Sequence, residues 1–352
     1  MPQYSFRQKD VMELMQRIYG LDERESRKLA FMYRQSDIET RYTVIDDYTE
    51  NGNRGNLIFS GDEVAANLDE RMKIYNREAL PLSVNAINDC LKDKIHAEDI
   101  THLITVSCTG MSAPGLDLQI AESLNMKPEV FRTSVNFMGC YGAVHALKLS
   151  DAICHQDTEA KVLVVCTELC TLHFQREATM DNIASSLLFG DGSAAALITN
   201  DRNTKGIHLS NFYSEVLPKG KKDMAWELSS TGFSMTLSNY IPDLIEEDFA
   251  ILVNKALTKA NLLQNDISYW CIHPGGKKIL EAIHKSLHFD NGHLDKSYEV
   301  LEQYGNMSSP SILFVLRKMM DSMDYQIPNN IFGAAFGPGL TMETFVGTTL
   351  KD

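Results

Sequence analysis

Cys140 stands where an apolar segment gives way to a helical pattern. Residues 132–138 have the pattern of an extended strand, Gly139 permits a tight turn, and apolar side chains then recur at helical spacing, as at Val144 and Leu147. A helix N-terminus offers unpaired backbone amides and the positive end of the helix dipole, and both favour a thiolate over a thiol. The sequence therefore predicts a sulfur nucleophile at Cys140, the alternative being a buried structural cysteine.

Two further polar residues belong with Cys140 if the sequence is a duplication. Three segments recur in the same order in its two halves: 102–110 with 267–276, 139–140 with 304–312, and 189–192 with 332–340. A pseudo-twofold axis would then bring His273, at a strand end, and Asn306, at a helix start, to face Cys140. Taken singly, His273 could be a core or surface histidine and Asn306 a helix N-cap. The hypothesis of one catalytic cleft depends on all three together.

The elements that would position these residues alternate along the chain. Residues 1–35 have helical spacing. Short apolar runs of buried-strand length follow at 102–108, 162–166 and 194–199, with helical patterns between them. Such alternation is typical of an α/β protein whose mostly parallel sheet is covered on both faces. We expect two related halves, residues 1–200 with the cysteine and residues 201–352 with the histidine and asparagine.

Composition limits the kind of protein. The chain has 352 residues, of which 44% are hydrophobic, and a net charge of −14 from 47 acidic and 33 basic residues. Nucleic acid and anionic membranes are poor partners for such a surface. The chain has no apolar run long enough for a membrane span and no signal-like N-terminus. Its seven cysteines are odd in number, which favours reduced thiols over a disulfide framework and a soluble protein of the cytoplasm.

A metal site is the remaining possibility for the cysteines. Cys166, Cys170 and His173 lie close together in the sequence. A second cluster that could complete a tetrahedral site is missing from the sequence, however. We therefore expect no metal.

Together these motifs resemble the type III polyketide synthases, the chalcone-synthase-like branch of the thiolase superfamily. The resemblance extends from about Ser36 to Thr348. Its motifs are Met138 to Cys140 before a helix of small residues, Val165 to Glu168, Leu188 to Gly192, His273 to Gly276, Tyr304 to Ser309 and Phe336 to Gly339. Each is weak alone, and their order and spacing make the combination specific.

The resemblance implies a fold, a reaction and a catalytic triad. The fold would be a five-layer αβαβα arrangement of two duplicated βαβαβ halves, usually a homodimer with the loop 109–115 at its interface. Cys140 would accept an acyl group from a thioester. His273 and Asn306 would stabilise the enolate formed when a malonyl unit loses CO2. The substrates would be acyl-CoA and malonyl-CoA, with no metal or other cofactor.

The resemblance also implies pocket residues, and here the chain departs from its relatives. Cys170 and His173 replace small threonines, so we expect a reduced cavity. Counting along the chain places Ile207 where relatives carry a gating phenylalanine. Ser308 and Pro338 would line the pocket. Among the cations expected for the phosphates of coenzyme A are Arg41 and Lys278; the full candidate set is Arg34, Arg41, Lys277 and Lys278.

Other functions are compatible with parts of this pattern. Because Gln35 and Glu39 occupy positions where relatives carry cations, the acyl donor could be an acyl carrier protein instead of CoA. An enzyme like ketoacyl-carrier-protein synthase III would perform a single condensation, and a non-catalytic scaffold of the thiolase fold would perform none. Papain-like proteases share the order Cys, His, Asn but lack the surrounding motifs at Leu188 to Gly192 and His273 to Gly276.

Overall fold

The computed structural model describes residues 1–48, 58–60, 63–64, 66–201 and 205–349. The α-helices in these ranges are α1 (Gln8–Ile18), α2 (Glu23–Arg34), α3 (Leu68–Leu91), α4 (Leu116–Ser123), α5 (Gly142–Gln156), α6 (Met180–Leu188), α7 (Ile241–Lys259), α8 (Lys277–Ser286), α9 (Asp295–Tyr304) and α10 (Pro310–Ser322). The strands are β1 (Tyr4–Arg7), β2 (Thr40–Thr43), β3 (Phe59–Ser60), β4 (Glu63–Val64), β5 (His102–Ser107), β6 (Phe131–Asn136), β7 (Lys161–Leu169), β8 (Asp191–Thr199), β9 (Ile207–Val216), β10 (Met224–Ser229), β11 (Gly232–Leu237), β12 (Tyr269–Ile272), β13 (Asn330–Gly337) and β14 (Thr341–Thr349).

The first half of the chain forms a four-stranded sheet in the order β6-β5-β7-β8. β5 pairs in parallel with β6 and β7, and β8 runs antiparallel to β7. The three apolar runs predicted as strands are thus confirmed as β5, β7 and β8. Val162 to Leu169 are all buried in β7, as a strand covered on both faces requires.

The second half forms a sheet in the order β12-β13-β14-β9. Only β12 and β13 pair in parallel, while β13 with β14 and β14 with β9 are antiparallel. The expectation of a mostly parallel sheet is therefore wrong for this half. β14 follows β13 through the short turn Pro338–Leu340, and a connection of that length can join only antiparallel strands.

The two sheets share a layer of helices. Residues of α5 and α10 form one buried core with side chains from both sheets. α3 and α4 cover the outer face of the first sheet, and α7 and α8 cover the outer face of the second. The result is the five-layer αβαβα arrangement, in which β5, β7 and β8 correspond to β12, β13 and β14.

The predicted N-terminal helical region is two helices, α1 and α2. Asp22 begins α2 with a capping box, in which the Asp22 carboxylate accepts from the Glu25 backbone amide and the Glu25 carboxylate accepts from the Asp22 backbone amide. Tyr33 of α2 contacts the Ser186 hydroxyl of α6 through an oxygen–oxygen distance of 3.2 Å. This brings the end of α2 to the mouth of the pocket described next. No helix in the described ranges is long and apolar enough to cross a membrane.

Candidate active site

One pocket, of about 300 Å3, gathers side chains from both halves of the chain. We call it the central pocket. All the predicted site residues except Ile207 and Arg34 line it: Cys140, His273, Asn306, Cys170, His173, Ser308, Pro338, Arg41, Lys277 and Lys278. The convergence expected from the duplication is thus present in the structure.

Cys140 lies in a short 3-10 turn, Gly139–Tyr141, that leads directly into α5. Gly139 has φ +76°, and a Cβ at this position would lie 2.3 Å from Pro338 Cδ. Both the backbone conformation and the close contact therefore require glycine here. The Gly139 backbone amide donates a hydrogen bond to the Cys108 sulfur at 3.0 Å. The turn is fixed from both sides, which holds Cys140 at the start of its helix.

His273 follows the last residue of β12 and is 1% exposed. Its backbone amide donates to the Ala334 carbonyl at 2.9 Å, extending the pairing of β12 with β13 by one residue. Both ring nitrogens are buried and have no hydrogen-bond partner in the part of the chain that the structure describes. Since buried polar atoms in proteins are nearly always paired, this ring has a donor and an acceptor available to a substrate.

Asn306 lies between α9 and α10 and is held at several points. Its backbone amide donates to the Leu188 carbonyl at 2.9 Å. The side-chain oxygen accepts from the Ser308 amide at 2.7 Å, which keeps Ser308 at φ 59°. The side-chain nitrogen donates to the Gly275 carbonyl at 3.3 Å. This nitrogen carries two hydrogens, so one remains for a ligand.

Burial sets the protonation of the nucleophile and its partner. Burial raises the pKa of Cys140 to about 11. Hydrogen bonds from Ser308 and Asn306 lower this pKa, and the charge of Glu168 raises it further. Burial also lowers the pKa of His273 to about 3. Burial therefore opposes each charge taken alone, whereas the expected thiolate is one partner of an ion pair with the imidazole. The thiolate at Cys140 stays a prediction.

Glu168 is a buried carboxyl beside the nucleophile. One of its oxygens accepts from the Cys108 amide and the Thr109 hydroxyl, each at 2.8 Å. The other accepts from the Ser309 hydroxyl at 2.8 Å, which ties the first half of the chain to the start of α10. Burial raises the pKa of Glu168 to about 7. Glu168 belongs to the motif Val165 to Glu168, but its position close to Cys140 was not predicted from the sequence.

An aromatic cluster of His173, Trp226 and Phe233 forms one wall of the central pocket. The His173 and Phe233 rings stack at 4.1 Å, and the Trp226 ring meets both edge-on at 5.8 and 5.7 Å. His173 Nε2 donates to the Thr109 carbonyl at 2.6 Å, and its Nδ1 accepts from the Phe233 amide at 3.2 Å. His173 therefore adds bulk, as predicted, but both its nitrogens are occupied.

Trp226 and Phe233 were missed in the sequence. They lie in the β10–β11 hairpin, whose strands pair only with each other. Trp226 Nε1 donates to the Cys108 carbonyl at 2.6 Å, across more than a hundred residues of chain. The available signal was that Trp226 is one of two tryptophans in the sequence.

Ile207 does not line the central pocket, so its prediction as a substrate-binding residue is wrong. It begins β9, at the edge of the second sheet, where it pairs with Thr349. Its side chain packs over Gly347, whose Cβ would lie 2.6 Å from Ile207 Cγ2. Phe189, in the motif at 188–192, is one of the phenylalanines that line the pocket.

The mouth of the pocket has few free cations. Arg41 is 2% exposed, and its guanidinium donates to Gln8 Oε1 at 2.9 Å and to the Ser186 and Phe189 carbonyls at 2.8 and 2.6 Å. Lys277 pairs with Asp37 at 2.9 Å. Arg34 is exposed and lies outside the pocket lining. Among the residues that the structure describes, Lys278 borders the pocket without an ion pair.

Comparison with known proteins identifies related chains. The family model for the N-terminal domain of chalcone and stilbene synthases matches residues 1–202, and the model for the C-terminal domain matches residues 208–351. Type III polyketide synthase C of Arabidopsis thaliana is 30% identical over 336 residues, covering 91% of this chain and 85% of that protein. A polyketide synthase of Dictyostelium discoideum is 30% identical over 325 residues, but the chain spans only 10% of that protein's length.

A solved structure agrees with these matches. The crystal structure of PKS-I from the brown alga Ectocarpus siliculosus has a TM-score of 0.91 and 26% sequence identity to this chain. The match covers 99% of this chain and 95% of the Ectocarpus chain.

Proposed function

The chain belongs to the chalcone and stilbene synthase family, the type III polyketide synthases, and we propose that it joins an acyl unit to malonyl-derived units by decarboxylative condensation at Cys140. The observation that carries the proposal is the convergence of Cys140, His273 and Asn306 on one pocket. The acyl donor and the extender are proposed to be acyl-CoA and malonyl-CoA.

The first step is acyl transfer to Cys140. His273 has a free acceptor nitrogen and takes the thiol proton as the sulfur attacks the thioester carbonyl. The bond from the acyl carbon to the Cys140 sulfur forms, and the bond to the coenzyme A sulfur breaks. The proton then leaves with coenzyme A as its thiol. Burial disfavours either charge alone, so the proton moves as the sulfur attacks, and the imidazolium compensates the negative charge that develops on the substrate.

The second step generates a carbon nucleophile from malonyl thioester. The bond to the carboxylate carbon breaks, CO2 leaves, and negative charge collects on the thioester oxygen. His273 N–H and the free N–H of Asn306 are donors for that oxygen. The enolate carbon then attacks the acyl carbon on Cys140, so a carbon–carbon bond forms and the bond from that acyl carbon to the Cys140 sulfur breaks. The released thiolate takes up a proton from solvent, which restores the thiol. Every step is acid–base and nucleophilic chemistry, which requires no metal or cofactor.

Product length follows from the shape of the pocket. Hydrogen bonds and ring contacts hold His173, Trp226 and Phe233 in place. This wall therefore moves little when the polyketide is extended. A volume of about 300 Å3 leaves room for few extensions. We therefore propose a short polyketide or β-keto product.

The acyl carrier is proposed to be coenzyme A and not a carrier protein. Lys278 borders the pocket and Lys277 begins α8, where the helix dipole favours phosphate. The chain's net charge of −14 would repel an acidic carrier protein. Steady-state kinetics with one acyl group on each carrier, in wild type and in Lys277→Ala/Lys278→Ala, test this. A higher kcat/KM on the carrier protein, with the CoA reaction unaffected by the lysine changes, would overturn it.

The chain is further proposed to act as a cytoplasmic homodimer. All seven cysteines are free, which fits a reducing compartment. β6 is an edge strand whose Phe131 is 69% exposed, and bare edges of this kind are normally covered. Met111, in the loop 109–115, is 45% exposed. The loop 109–115 would lie in the same interface. Sedimentation as a monomer at micromolar concentration would contradict the dimer.

The function is tested by product analysis. Mass spectrometry of reactions between a panel of acyl-CoA thioesters and malonyl-CoA should detect acyl chains lengthened by one or more two-carbon units. A single added unit with every starter would favour an enzyme like ketoacyl-carrier-protein synthase III. Absence of any Cys140-dependent product would favour a non-catalytic scaffold.

A further inference from the structure

The Ser185 hydroxyl is a polar group that the proposed mechanism does not use. Its oxygen is buried and has no hydrogen-bond partner among the residues that the structure describes, and Ser185 lines the central pocket. A buried hydroxyl without a partner destabilises a fold, so its presence calls for an explanation. Among the described pocket residues, Arg41 Nη2 and the two His273 ring nitrogens have the same property, and His273 is assigned to catalysis above.

The helix that carries Ser185 lies between the core and the pocket. In α6, the Ile183 and Leu187 side chains belong to the buried core shared with α1 and α2, and residues 184–188 all border the pocket. Ser185 therefore lies in the stretch of α6 that forms part of the pocket lining.

Ser185 is rigidly placed relative to the catalytic asparagine. Its backbone carbonyl accepts from the Phe189 amide at 3.1 Å, and the Leu188 carbonyl accepts from the Asn306 amide at 2.9 Å. Phe189 and Asn306 also form a parallel β-bridge. The hydroxyl thus lies about one helical turn, roughly 5 Å along the helix axis, from residues that contact the catalytic centre.

From this geometry, and resting on the proposed function, we propose that the Ser185 hydroxyl donates a hydrogen bond to a carbonyl oxygen of the thioester substrate. That carbonyl could be a ketone of the extended acyl chain or an amide of the pantetheine arm. Either is the acceptor that the hydroxyl lacks in the protein. Ser185 would then be a positioning and specificity-determining residue of the pocket.

The next residue supplies a matched control. Ser186 also borders the pocket, but its hydroxyl donates to the Ile183 carbonyl at 2.9 Å and contacts the Tyr33 hydroxyl at 3.2 Å. Ser186→Ala removes a satisfied hydroxyl and should lower the melting temperature. Ser185→Ala removes an unsatisfied one and should leave the melting temperature unchanged or raise it.

The test measures loading and extension separately in wild type, Ser185→Ala, Ser185→Thr and Ser186→Ala. Loading is the rate of Cys140 acylation by hexanoyl-CoA, and extension is the product distribution with malonyl-CoA. A ketone acceptor predicts that Ser185→Ala loads normally but forms the longest products roughly two- to tenfold less. An amide acceptor predicts a loading KM raised by the same factor. Ser185→Thr, which keeps the hydroxyl, should restore the wild-type pattern in either case.

Two outcomes would overturn the proposal. The first is a Ser185→Ala protein whose loading and product distribution both match wild type. The second is a melting temperature that falls as it does in Ser186→Ala, which would indicate a structural role. A wild type that neither loads nor condenses would contradict the proposed function itself, and this inference with it, and the wild-type reactions report that separately.

Discussion

Replacing Asn306 by alanine removes two groups with different tasks. The side-chain nitrogen is the proposed donor to the enolate oxygen. The side-chain oxygen accepts from the Ser308 amide at 2.7 Å. Losing one donor to a developing oxyanion typically costs about 3 kcal/mol in the barrier, or roughly a hundredfold in rate. Leaving the buried Ser308 amide unpaired costs a further 1–3 kcal/mol or so in folding stability.

The two losses can be separated with Asn306→Asp. At pH 8 an ionised carboxylate keeps the acceptor for the Ser308 amide but has no hydrogen to donate. We expect Asn306→Ala to lose both decarboxylation and stability. Asn306→Asp should lose decarboxylation while its melting temperature stays closer to wild type.

The assay compares CO2 release from carboxyl-labelled malonyl-CoA with acyl loading of Cys140 by intact-protein mass spectrometry. Both variants should load the acyl group at near the wild-type rate, because the attack on the thioester depends on Cys140 and His273. They should release CO2 at least a hundredfold more slowly. If Asn306→Ala decarboxylates malonyl-CoA as fast as wild type, Asn306 is not part of the catalytic centre.

Three further changes test the surroundings of the site. Gly139→Ala should lower the free energy of unfolding, measured in urea, by about 3 kcal/mol because of backbone strain and the clash with Pro338. Gly20→Ala is the control: Gly20 has φ +61° and nothing within 4 Å of the new Cβ, so the change should cost only about 1 kcal/mol. Equal losses in the two variants would refute the clash. The pKa of Glu168, raised from 4.5 to about 7, means that the folded protein keeps a proton that the unfolded chain loses. Its stabilising contribution, about 3 kcal/mol, is complete below pH 4.5 and is lost as pH rises through 7. Between pH 5 and 8 the melting temperature should therefore fall less steeply with pH in Glu168→Gln than in wild type. The same dependence of the melting temperature on pH in both proteins would count against this titration. Trp226→Ala should open the aromatic wall and shift the product distribution, measured by mass spectrometry, to longer chains, whereas Trp226→Phe should not. An unchanged distribution in both variants would show that the wall does not limit product length.

The sequence was a good guide to the site wherever chemistry is local. The glycine before Cys140, the strand before His273 and the asparagine before a helix are features of short segments, and their repetition in both halves indicated that they meet. The strands β5, β7 and β8 were predicted from their apolar runs for the same reason.

Features that depend on packing between distant segments were not predictable. Ile207 was assigned by counting along the chain, but β9 is an edge strand of the second sheet and does not line the pocket. The β10–β11 hairpin brings Trp226 to the pocket through a contact with Cys108, which no local pattern indicates. The burial that raises the pKa of Cys140 is likewise not visible in the sequence, whereas the helix start is.

The central claim is that Cys140 carries the acyl group in a reaction that His273 promotes. Intact-protein and peptide mass spectrometry after incubation with an acyl-CoA test it directly, in wild type, Cys140→Ala and His273→Ala. We expect one acyl group per chain on the peptide containing Cys140, none in Cys140→Ala, and much slower loading in His273→Ala. Acylation of Cys140→Ala at the wild-type level, or on Cys108 or Cys170 in the wild type, would contradict the account.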